Sequence, residues 1–519
     1  MAEALVRAEM ASTPDADGAY SDVKGYLHSE EAAVMSHSDL EREIEERMRE
    51  LGRRLLQEHL DGRGVGEAVG QVVDADGVER TGARLQRRQL HTVFGTVEVE
   101  RLGYGAAGLE SLHPKDAALN LPEESYSLEL RRRVALEAAR GSFDETVAAV
   151  ERATGVRIPK RQAEELAARA AQDFETFYEQ RRATPVEEPA RGEILVLSID
   201  GKGVVMRRED LREPTRKAAQ ARRHKLKTRL TRGEKRNAKR MATVAAVYTV
   251  APYPRSPEQV VRGLAGLDEA KAPRPRPESK RVLASLEMTV AEVVEEIFAD
   301  ALHRDPKRAK TWVAVVDGNK PQLRLLEQNA RRHGLDLTIV VDMIHVVEYL
   351  WKAGAVLNPA ESPQLEAWVQ HRLLEILRGH SSLVAAGMRR SATRRGLDKK
   401  ERKPVDTCAD YLLTYRRYLR YDEYLARGLP IASGVIEGAC RHLVKDRMDL
   451  TGARWSLTGA EAVLRLRALR SSGDFDDYWR FHEQQEYRRN HAARYAGGVA
   501  PEVVNPRKKT QERRLRLAK

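Results

Sequence analysis

Two aspartates with the same local pattern are the first candidates for chemistry in this sequence. Asp200 and Asp317 each end a short apolar run, and each precedes a glycine. The runs, Ile194–Ile199 and Thr311–Val316, are typical of strands that are buried on both faces. An Asp-Gly pair is also common in turns, so either residue alone is a weak signal. A carboxylate at the mouth of a buried strand is nevertheless rigid and accessible, and this combination suits a metal ligand.

A third acid would complete a metal site, and two glutamates are candidates for it. Glu348 lies in the helix predicted after the last strand, whereas Glu437 lies in a helix predicted over Val435–Leu450. The second helix also carries Arg441 and Lys445 at steps of four from Glu437, which predicts one helix face with cations for phosphates. Residue types and spacing do not distinguish between the two glutamates.

Three carboxylates from different elements are suited to cleaving or joining phosphodiester bonds. Two divalent ions roughly 3.5–4 Å apart activate the attacking oxygen and stabilise the leaving oxygen. Such ions prefer oxygen ligands, and protein carboxylates supply them. The sequence therefore predicts two Mg²⁺ (or Mn²⁺) ions held by Asp200, Asp317 and one of the two glutamates.

Another acid, Asp342, also follows a predicted strand, Leu337–Val341. It is either an accessory metal ligand or the cap of the next helix beside His345, and capping is the favoured interpretation. The only two cysteines, Cys408 and Cys440, lack the paired spacing of a zinc site. They also exclude a disulfide framework and are typical of a reducing cytosol.

Positive charge is concentrated in two segments of a chain whose formal net charge is +12. Residues 207–240 contain 15 Lys or Arg against 4 Asp or Glu, and residues 505–519 contain 7 against 1. These clusters indicate double-stranded DNA as a partner, although a solvated helix face or a disordered arm has the same composition. The residues predicted to contact DNA are Lys202, Arg222, Arg223, Lys225, Arg441, Lys445, Arg447, Arg454 and Trp455. Trp455 has an alternative role as a core residue that anchors the neighbouring helices.

The order of the predicted elements indicates an α/β catalytic core. The first strand ends at Asp200, and Gly201-Lys202-Gly203 is interpreted as the hairpin turn to a second strand, Gly203–Met206. The later strands and helices are predicted at Met241–Val250, Val282–Leu302, Thr311–Val316, Pro321–His333, Leu337–Val341 and Met343–Leu357. Antiparallel strands followed by βα units predict a ribonuclease-H-like mixed sheet rather than a doubly wound dinucleotide fold. No glycine-rich phosphate loop follows any of these strands.

The N-terminal part of the chain is predicted to be mainly helical. Residues 1–75 are expected to be partly disordered, irregular up to residue 38, and to contain an amphipathic helix over Ser38–Leu60. Residues 76–182 are expected to bind DNA through a β-hairpin around Phe94-Gly95 and three helices, the third reaching about Gln180. The three helices are equally compatible with a helix-turn-helix reader and with an ordinary packing unit.

The remaining boundaries follow from breaks in composition. A linker over residues 183–191 precedes a catalytic domain made of residues 192–357 and 430–470. Residues 358–429 form a helical insertion in that domain, and residues 471–519 form a basic, peripheral tail. No apolar run approaches the ~18 residues of a membrane span, and the N-terminus lacks the layout of a signal peptide. We therefore expect a cytoplasmic protein with no membrane partner.

The stretch Pro430–Leu469, PIASGVIEGACRHLVKDRMDLTGARWSLTGAEAVLRLRAL, resembles the C-terminal signature of bacterial insertion-sequence transposases of the Kra group. The same pattern is matched by LSIDGKGVVM, VVDGN, VVDMIHVVEYLW and LNLPEESYSLELRRRVALEAARGSFDE, and the similarity covers roughly residues 80–485. Members of that group carry a DDE site. The resemblance implies that this site consists of Asp200, Asp317 and Glu437, and so it favours Glu437 over Glu348.

The resemblance also implies a function. It indicates a DNA transposase that cleaves the ends of an insertion sequence and joins them to target DNA by two-metal phosphodiester transfer. The implied partners are the terminal inverted repeats, the target DNA and a second copy of the chain, in a nucleoid-associated location. A related metal-dependent nuclease and a catalytically idle DNA-binding regulator are the alternatives.

Overall fold

The computed structural model describes residues 16–185, 192–221, 226, 231, 237–266, 274–450 and 452–504. The chain divides into two units, one made of Met1–Asp173 with Asp476–Lys519 and the other of Phe174–Phe475. Every helix among the described residues is too short or too polar to span a membrane.

The first unit contains a β-hairpin among helices. In chain order its elements are α1 (Ala16–Leu27), α2 (Glu30–Val34), α3 (His37–Gly62), β1 (Gly82–Thr92), β2 (Gly95–Gly105), α4 (Pro114–Leu119), α5 (Leu128–Arg140), α6 (Phe143–Thr154) and α7 (Lys160–Ala170). The predicted amphipathic helix corresponds to α3 and is confirmed. The prediction that the chain is irregular up to residue 38 is wrong for α1 and α2, which are helical. Helix α1 packs alanines rather than large side chains against Leu51, so no large apolar residues mark its buried face.

The hairpin prediction is confirmed, with the turn one residue earlier than predicted. Strands β1 and β2 pair antiparallel, and Thr92 lies opposite Gly95, which leaves Val93-Phe94 as a two-residue turn. Gly95 has a φ of 120°, a conformation that is accessible mainly to glycine.

Helices α5, α6 and α7 pack around a common core that includes Leu130, Val150 and Leu166. The prediction of one continuous third helix up to Gln180 is wrong, since α7 ends at Ala170. A tertiary contact accounts for the break. The carboxylate of Asp173 is buried and lies 2.7 Å from Nδ1 of His482, far along the chain.

The second unit contains the mixed sheet. Its first elements are α8 (Phe174–Ala183), β3 (Ile194–Val205), α9 (Glu213–Ala221), β4 (Lys239–Val250), α10 (Pro257–Leu264), β5 (Glu278–Ser285), α11 (Val290–Arg304), β6 (Thr311–Val316), α12 (Lys320–Arg332), β7 (Leu337–Val341) and α13 (Met343–Leu357). The helical segments after them are α14 (Pro363–Leu377), α15 (Ser381–Arg394), α16 (Lys403–Thr414), α17 (Tyr421–Ala426), α18 (Gly434–Ala439), a π-helical stretch (Cys440–Lys445), α19 (Asp446–Met448) and α20 (Leu457–Ser472).

The five strands lie in the order β5-β4-β3-β6-β7. Strand β4 is antiparallel to both β3 and β5, whereas β6 runs parallel to β3 and β7 runs parallel to β6. Strand β3 is therefore central and buried on both faces, as its continuous apolar run predicts. The α/β class with a mixed sheet is confirmed, and the narrower ribonuclease-H-like assignment stays a prediction.

The predicted turn at Gly201-Lys202-Gly203 is wrong. These residues continue β3, and they pair with Met241, Ala242 and Thr243 of β4. A Cβ at Gly203 would lie 2.9 Å from Cδ of Lys239, so this glycine makes room for a neighbouring strand rather than reversing the chain.

Strand β5 was predicted as the start of the helix over Val282–Leu302. Its short apolar run fits both a helix and a strand period, and the helix α11 starts only after Thr289, which forms a capping box with Glu292. Adding β5 and removing the turn in β3 leaves three antiparallel strands before the βα units. The predicted order of elements is therefore correct, although the turn within β3 and the helical assignment of β5 were wrong.

The first unit ends with one more helix, α21 (Phe475–Asn490). Tyr478, Trp479 and His482 on this helix are buried, and the hydroxyl of Tyr478 donates to the carbonyl of Ala170 at 2.7 Å. The prediction that residues 471–519 form a peripheral tail is therefore wrong for this helix. Residues 505–519 lie outside the described part of the chain.

Candidate functional site

Three aspartates occupy matching positions where the parallel pairing of the sheet ends, a region that we call the acidic edge. Asp317 and Asp342 follow the ends of β6 and β7, whereas Asp200 lies within β3, so the prediction that its strand ends there is wrong. The last residues that β3 shares with β6, and β6 with β7, immediately precede Asp200, Asp317 and Asp342. Neighbouring strands are about 4.8 Å apart, and residues in register project from the same face. The three aspartates therefore start side by side, on β3, β6 and β7 in that order.

Asp342 caps α13, as the favoured interpretation predicted. It is fully buried, and the backbone N–H of Ile344 donates to its Oδ1 at 2.7 Å. Its Oδ2 accepts hydrogen bonds from both the backbone N–H, at 2.9 Å, and the hydroxyl of Ser433. Both carboxylate oxygens accept hydrogen bonds from protein donors, so the capping role is confirmed, and the role of accessory metal ligand stays a prediction.

The same carboxylate links two distant parts of the chain. Ser433 immediately precedes α18, the helix that carries Glu437. A second bond reinforces this Asp342–Ser433 link, because the backbone N–H of Met343 donates to the carbonyl of Ile431 at 2.9 Å. The start of α18 is thereby attached to the end of β7, across the helical insertion.

Glu437 is exposed and lies within an acidic cluster. Partial burial raises its pKa above the usual range, and the carboxylates of Asp342, Asp200 and Glu348 raise it further, whereas His345 lowers it. Glu348 lies on α13 and has its own cation, Lys352, at 3.6 Å. Both candidate glutamates thus face the same edge of the sheet, and Glu437 is the one without an ion-pair partner among the described residues.

The carboxylate of Asp200 is held from two sides. Its Oδ1 accepts from the backbone N–H of Gly201 at 2.6 Å, and the thiol of Cys440 donates to its Oδ2 at 3.1 Å. Burial and the neighbouring Asp200 carboxylate raise the pKa of Cys440, so the thiol keeps its proton and remains a donor. Cys440 follows Glu437 by one turn, and its contact places that turn against β3.

Asp317 is supported by the helical insertion. Its Oδ1 accepts from the backbone N–H of Asn319 at 2.9 Å, and the hydroxyl of Tyr411 on α16 donates to its carbonyl at 3.0 Å. The ring of Tyr411 stacks on Tyr349, with centroids 4.2 Å apart. Gly318 has a φ of 90°, and a Cβ there would lie 3.3 Å from the Tyr411 hydroxyl.

The described residues contain no group of three or more His, Cys, Asp or Glu side chains close enough together to hold a metal ion. Asp200, Asp317 and Glu437 thus share one edge of the sheet without converging on a point. In the described part of the chain, none of the three carboxylates has a lysine or arginine ion-pair partner. Adjacent carboxylates without counter-charge repel each other, and hard divalent cations would relieve that repulsion.

The predicted DNA contacts divide into three groups. Arg441, Lys445 and Arg454 are exposed and Lys202 is half-buried, so the structure leaves them accessible. Arg222, Arg223 and Lys225 lie outside the described residues. Arg447 and Trp455 form the third group, and both are buried.

A direct contact of Arg447 or Trp455 with DNA is incompatible with their burial. Trp455 is only 7% exposed; its indole N–H donates to the carbonyl of Met448 at 3.2 Å. The guanidinium of Arg447 lies over its ring at 4.7 Å. Trp455 also forms a β-bridge with Met206, next to the end of β3. The alternative role of Trp455 as a core anchor is correct, and the predicted base stacking is wrong.

The π-helical stretch changes the predicted cationic face. A π-turn contains more residues than an α-turn, so steps of four no longer lie exactly above one another. Cys440, rather than Arg441, contacts Asp200, while the Arg441 side chain is 78% exposed and lies 3.8 Å from Asp446. Sequence periodicity missed Cys440, Ser433 and Tyr411, since none of them carries a charge pattern that marks a site.

Comparisons with known proteins add little. No family model matches this chain, and no curated protein matches it. Among solved structures, a Drosophila P element transposase strand transfer complex matches with 8% sequence identity, covering 75% of this chain and 86% of that chain, at a TM-score of 0.20. A likeness of this size supports no argument about fold or function.

The Asp342–Ser433 link is testable by substituting the serine. Ser433→Ala removes a hydroxyl that donates to a buried carboxylate, and we expect a loss of about 1.5–3 kcal/mol in the free energy of unfolding. The matched control is Ser362→Ala, which removes the cap of α14 and should cost about 1 kcal/mol. Urea unfolding measures both. An equal or smaller loss for Ser433→Ala would contradict the role assigned to the link.

The raised pKa of Glu437 predicts a pH-dependent gain in stability on neutralising it. A raised folded-state pKa means that folding disfavours the ionised carboxylate, so stability is lost as the pH rises through that pKa. In buffer with a chelator, Glu437→Gln should therefore be more stable than the wild type near pH 7. The difference should shrink near pH 4, close to the usual glutamate pKa of about 4.3.

The control for this experiment is Glu348→Gln, which removes an exposed carboxylate that already has a cation. Because Glu348 also raises the pKa of Glu437, its removal relieves part of the repulsion, but the lost pair with Lys352 opposes that gain. Stability at neutral pH should therefore increase by less than in Glu437→Gln. If Glu437→Gln were no more stable than Glu348→Gln at neutral pH, Glu437 would not belong to the repulsive cluster.

Proposed function

We propose that this chain is a DDE-type DNA transposase of the kind that the Kra-group resemblance implies, with a ribonuclease-H-like catalytic core. Asp200, Asp317 and Glu437 would hold two Mg²⁺ (or Mn²⁺) ions at the edge of the sheet. One observation supports the proposal: the Asp342–Ser433 link joins the start of the Glu437 helix, from beyond the helical insertion, to the acidic edge, where Asp200 and Asp317 occupy matching positions on β3 and after β6.

The three side chains are chemically suited to these ions, although they do not form a preassembled cluster. All three side chains offer carboxylate oxygens, which Mg²⁺ and Mn²⁺ prefer. Among the described residues the carboxylates lack cationic partners, so a bound cation would offset their repulsion. Bound ions would activate the attacking oxygen and stabilise the leaving oxygen.

The residues of the chain would orient this chemistry rather than perform it. Cys440 and the N–H of Gly201 hold the two oxygens of Asp200. Tyr411 and the N–H of Asn319 hold the loop of Asp317. These contacts limit the freedom of the ligands, and precise positioning of ligands supports metal affinity.

DNA is the proposed substrate because accessible cations accompany the acids. Arg441, Lys445 and Arg454 are exposed on the segment that follows Glu437, where phosphates on either side of a cleaved bond would lie. Under this proposal the hairpin and helices of residues 76–173 would read the terminal inverted repeats. A separate DNA molecule would be the target, and a dimer of the chain would hold the two element ends.

Substitution of the acids tests the proposed reaction. With duplexes from both sides of the gene and Mg²⁺, Asp200→Ala, Asp317→Ala and Glu437→Gln should each slow cleavage about a thousandfold or more, since metal ions supply several kcal/mol of transition-state stabilisation. DNA binding should remain. Glu348→Gln is the control and should cleave normally.

The outcomes of that assay also separate the alternatives. Cleavage by Glu437→Gln together with an inactive Glu348→Gln would show that the third ligand is Glu348. Cleavage without joining to a target plasmid would identify a nuclease. DNA binding without any cleavage, in wild-type protein with Mg²⁺ or Mn²⁺, would indicate an idle regulator.

Salt dependence tests the proposed phosphate contacts. Wild-type affinity for DNA should fall steeply with salt, and Arg441→Gln or Arg454→Gln should each reduce the slope of log K against log salt by about 0.9 for one lost phosphate contact. Arg332→Gln is the matched control. Arg332 is exposed and ends α12, roughly 18 Å along that helix from the acidic edge at a rise of about 1.5 Å per residue. Equal slopes for all three variants would contradict these contacts.

A further inference from the structure

A cavity of about 320 Å³ lies in the first unit, and no residue assigned to the acidic edge lines it. It is lined by β1, β2, the start of α4 and the segment that follows α21. Its volume is at the lower end of the range of small-molecule pockets, about 300–1,000 Å³. We use the name arginine pocket for its five basic residues, Arg88, Arg101, His113, His491 and Arg494.

The lining of the pocket contains three arginines and three acids, Glu110, Asp116 and Glu123, but Glu110 and Glu123 are exposed and only Asp116 is buried. The side chains of Arg88 and Arg101 are only 13% and 15% exposed, and both face the single carboxylate of Asp116. The remaining contacts of Arg88 are to neutral backbone carbonyls, those of Pro122 and Glu124, at 2.8 and 2.7 Å. One carboxylate does not neutralise two guanidinium groups.

A third guanidinium adds to this excess. Arg494 pairs at 3.2 Å with Glu110, whose side chain is 89% exposed, and solvent screens such a pair strongly. Among the described residues, Nε of the largely buried Arg101 has no hydrogen-bond acceptor. Oδ1 of Asp116 also lacks a hydrogen-bond partner within the described part of the chain, so the pocket holds both a donor and an acceptor that a bound polar group would satisfy.

The positive charge of the arginines also affects the two histidines of the pocket. Burial, and then the cations of Arg101, Arg494 and Arg88, lower the pKa of His113 to about 4. Burial likewise lowers the pKa of His491, although its bond to the carbonyl of Leu121 opposes this. Both rings are therefore uncharged at neutral pH, and either could accept a proton if an anion entered the pocket.

We propose that the arginine pocket is a binding site for a phosphate group. Guanidinium forks match the geometry of phosphate oxygens and bind them through paired, charge-assisted hydrogen bonds. The phosphate belongs either to a DNA strand or to a small free phosphate compound, since the chemistry of recognition is shared. The site goes beyond the proposed function, because it requires neither the acids of the second unit nor a metal ion.

The binding test uses inorganic phosphate with the full chain and isothermal titration calorimetry. Arg494→Gln should weaken phosphate binding about tenfold or more, as expected for loss of a hydrogen bond to a charged group. Arg494 is only partly buried and its partner is exposed, so this variant should still fold. The control is Arg87→Gln, which removes the same charge from the neighbouring position of β1, where the side chain is 63% exposed.

Either of two results would overturn the proposal. Absence of phosphate binding to the wild type, or equal binding by the wild type, Arg494→Gln and Arg87→Gln, would show that the pocket is not a phosphate site. If phosphate binds as expected, competition identifies its source. Displacement of a DNA duplex from the wild type, but not from Arg494→Gln, would assign the site to DNA, and binding without displacement would assign it to a free phosphate compound.

A pH titration with sulfate provides a second readout. Sulfate keeps its charge between about pH 5 and 8, the range in which histidine changes charge, so any change in affinity reports on the protein. A bound anion raises the pKa of His113 and His491 and thus couples binding to proton uptake. The three arginines oppose this uptake, and the acids Asp116, Glu110, Glu123 and Glu486 favour it. Sulfate affinity should rise as the pH falls, and a pH-independent affinity would place anion binding outside this pocket.

Discussion

The buried carboxylate of Asp342 is the interaction on which the acidic edge depends. It accepts three hydrogen bonds, one at the start of α13 and two from Ser433. An ionised carboxylate without such donors would be very costly to bury. Because these donors come from segments separated by the helical insertion, satisfying this one buried carboxylate brings Glu437 to the part of the sheet that carries Asp200 and Asp317.

This arrangement has an electrostatic cost. Partial burial raises the pKa of Glu437, and the carboxylate of Asp342 that positions this residue raises it further, together with Asp200 and Glu348. Proteins commonly tolerate such local destabilisation where function requires it. Here the cost is compatible with a site that cations complete, and the neutral donors Cys440 and Tyr411 hold the aspartates without supplying counter-charge.

The sequence was informative where one local rule dominates. Apolar runs ending in aspartate located β3, β6 and β7, because buried parallel strands have no competing pattern. Sequence patterns did not predict the structure correctly where long-range packing determines it. Gly201 and Gly203 suggested a turn, yet they make room for side chains of β4. The apolar run of β5 is too short to distinguish a strand from a helix.

Tertiary contacts also determined which site residues could be found. Asp200, Asp317 and Glu437 could be identified from the sequence because they are charged. Ser433 and Cys440 could not, because their roles arise only when distant segments meet. Trp455 and Arg447 illustrate the reverse. Their residue types suggested DNA contacts, but they pack against each other and next to the end of β3.

The position of a bound ion is the most direct test of whether Asp200, Asp317 and Glu437 are metal ligands. Anomalous diffraction from crystals of the protein with Mn²⁺ and DNA would locate the ion independently of activity. The account predicts Mn²⁺ about 2 Å from carboxylate oxygens of Asp200 and Asp317, with Glu437 as the third protein ligand. Mn²⁺ bound through Glu348 instead of Glu437, or absent from this edge of the sheet, would contradict it.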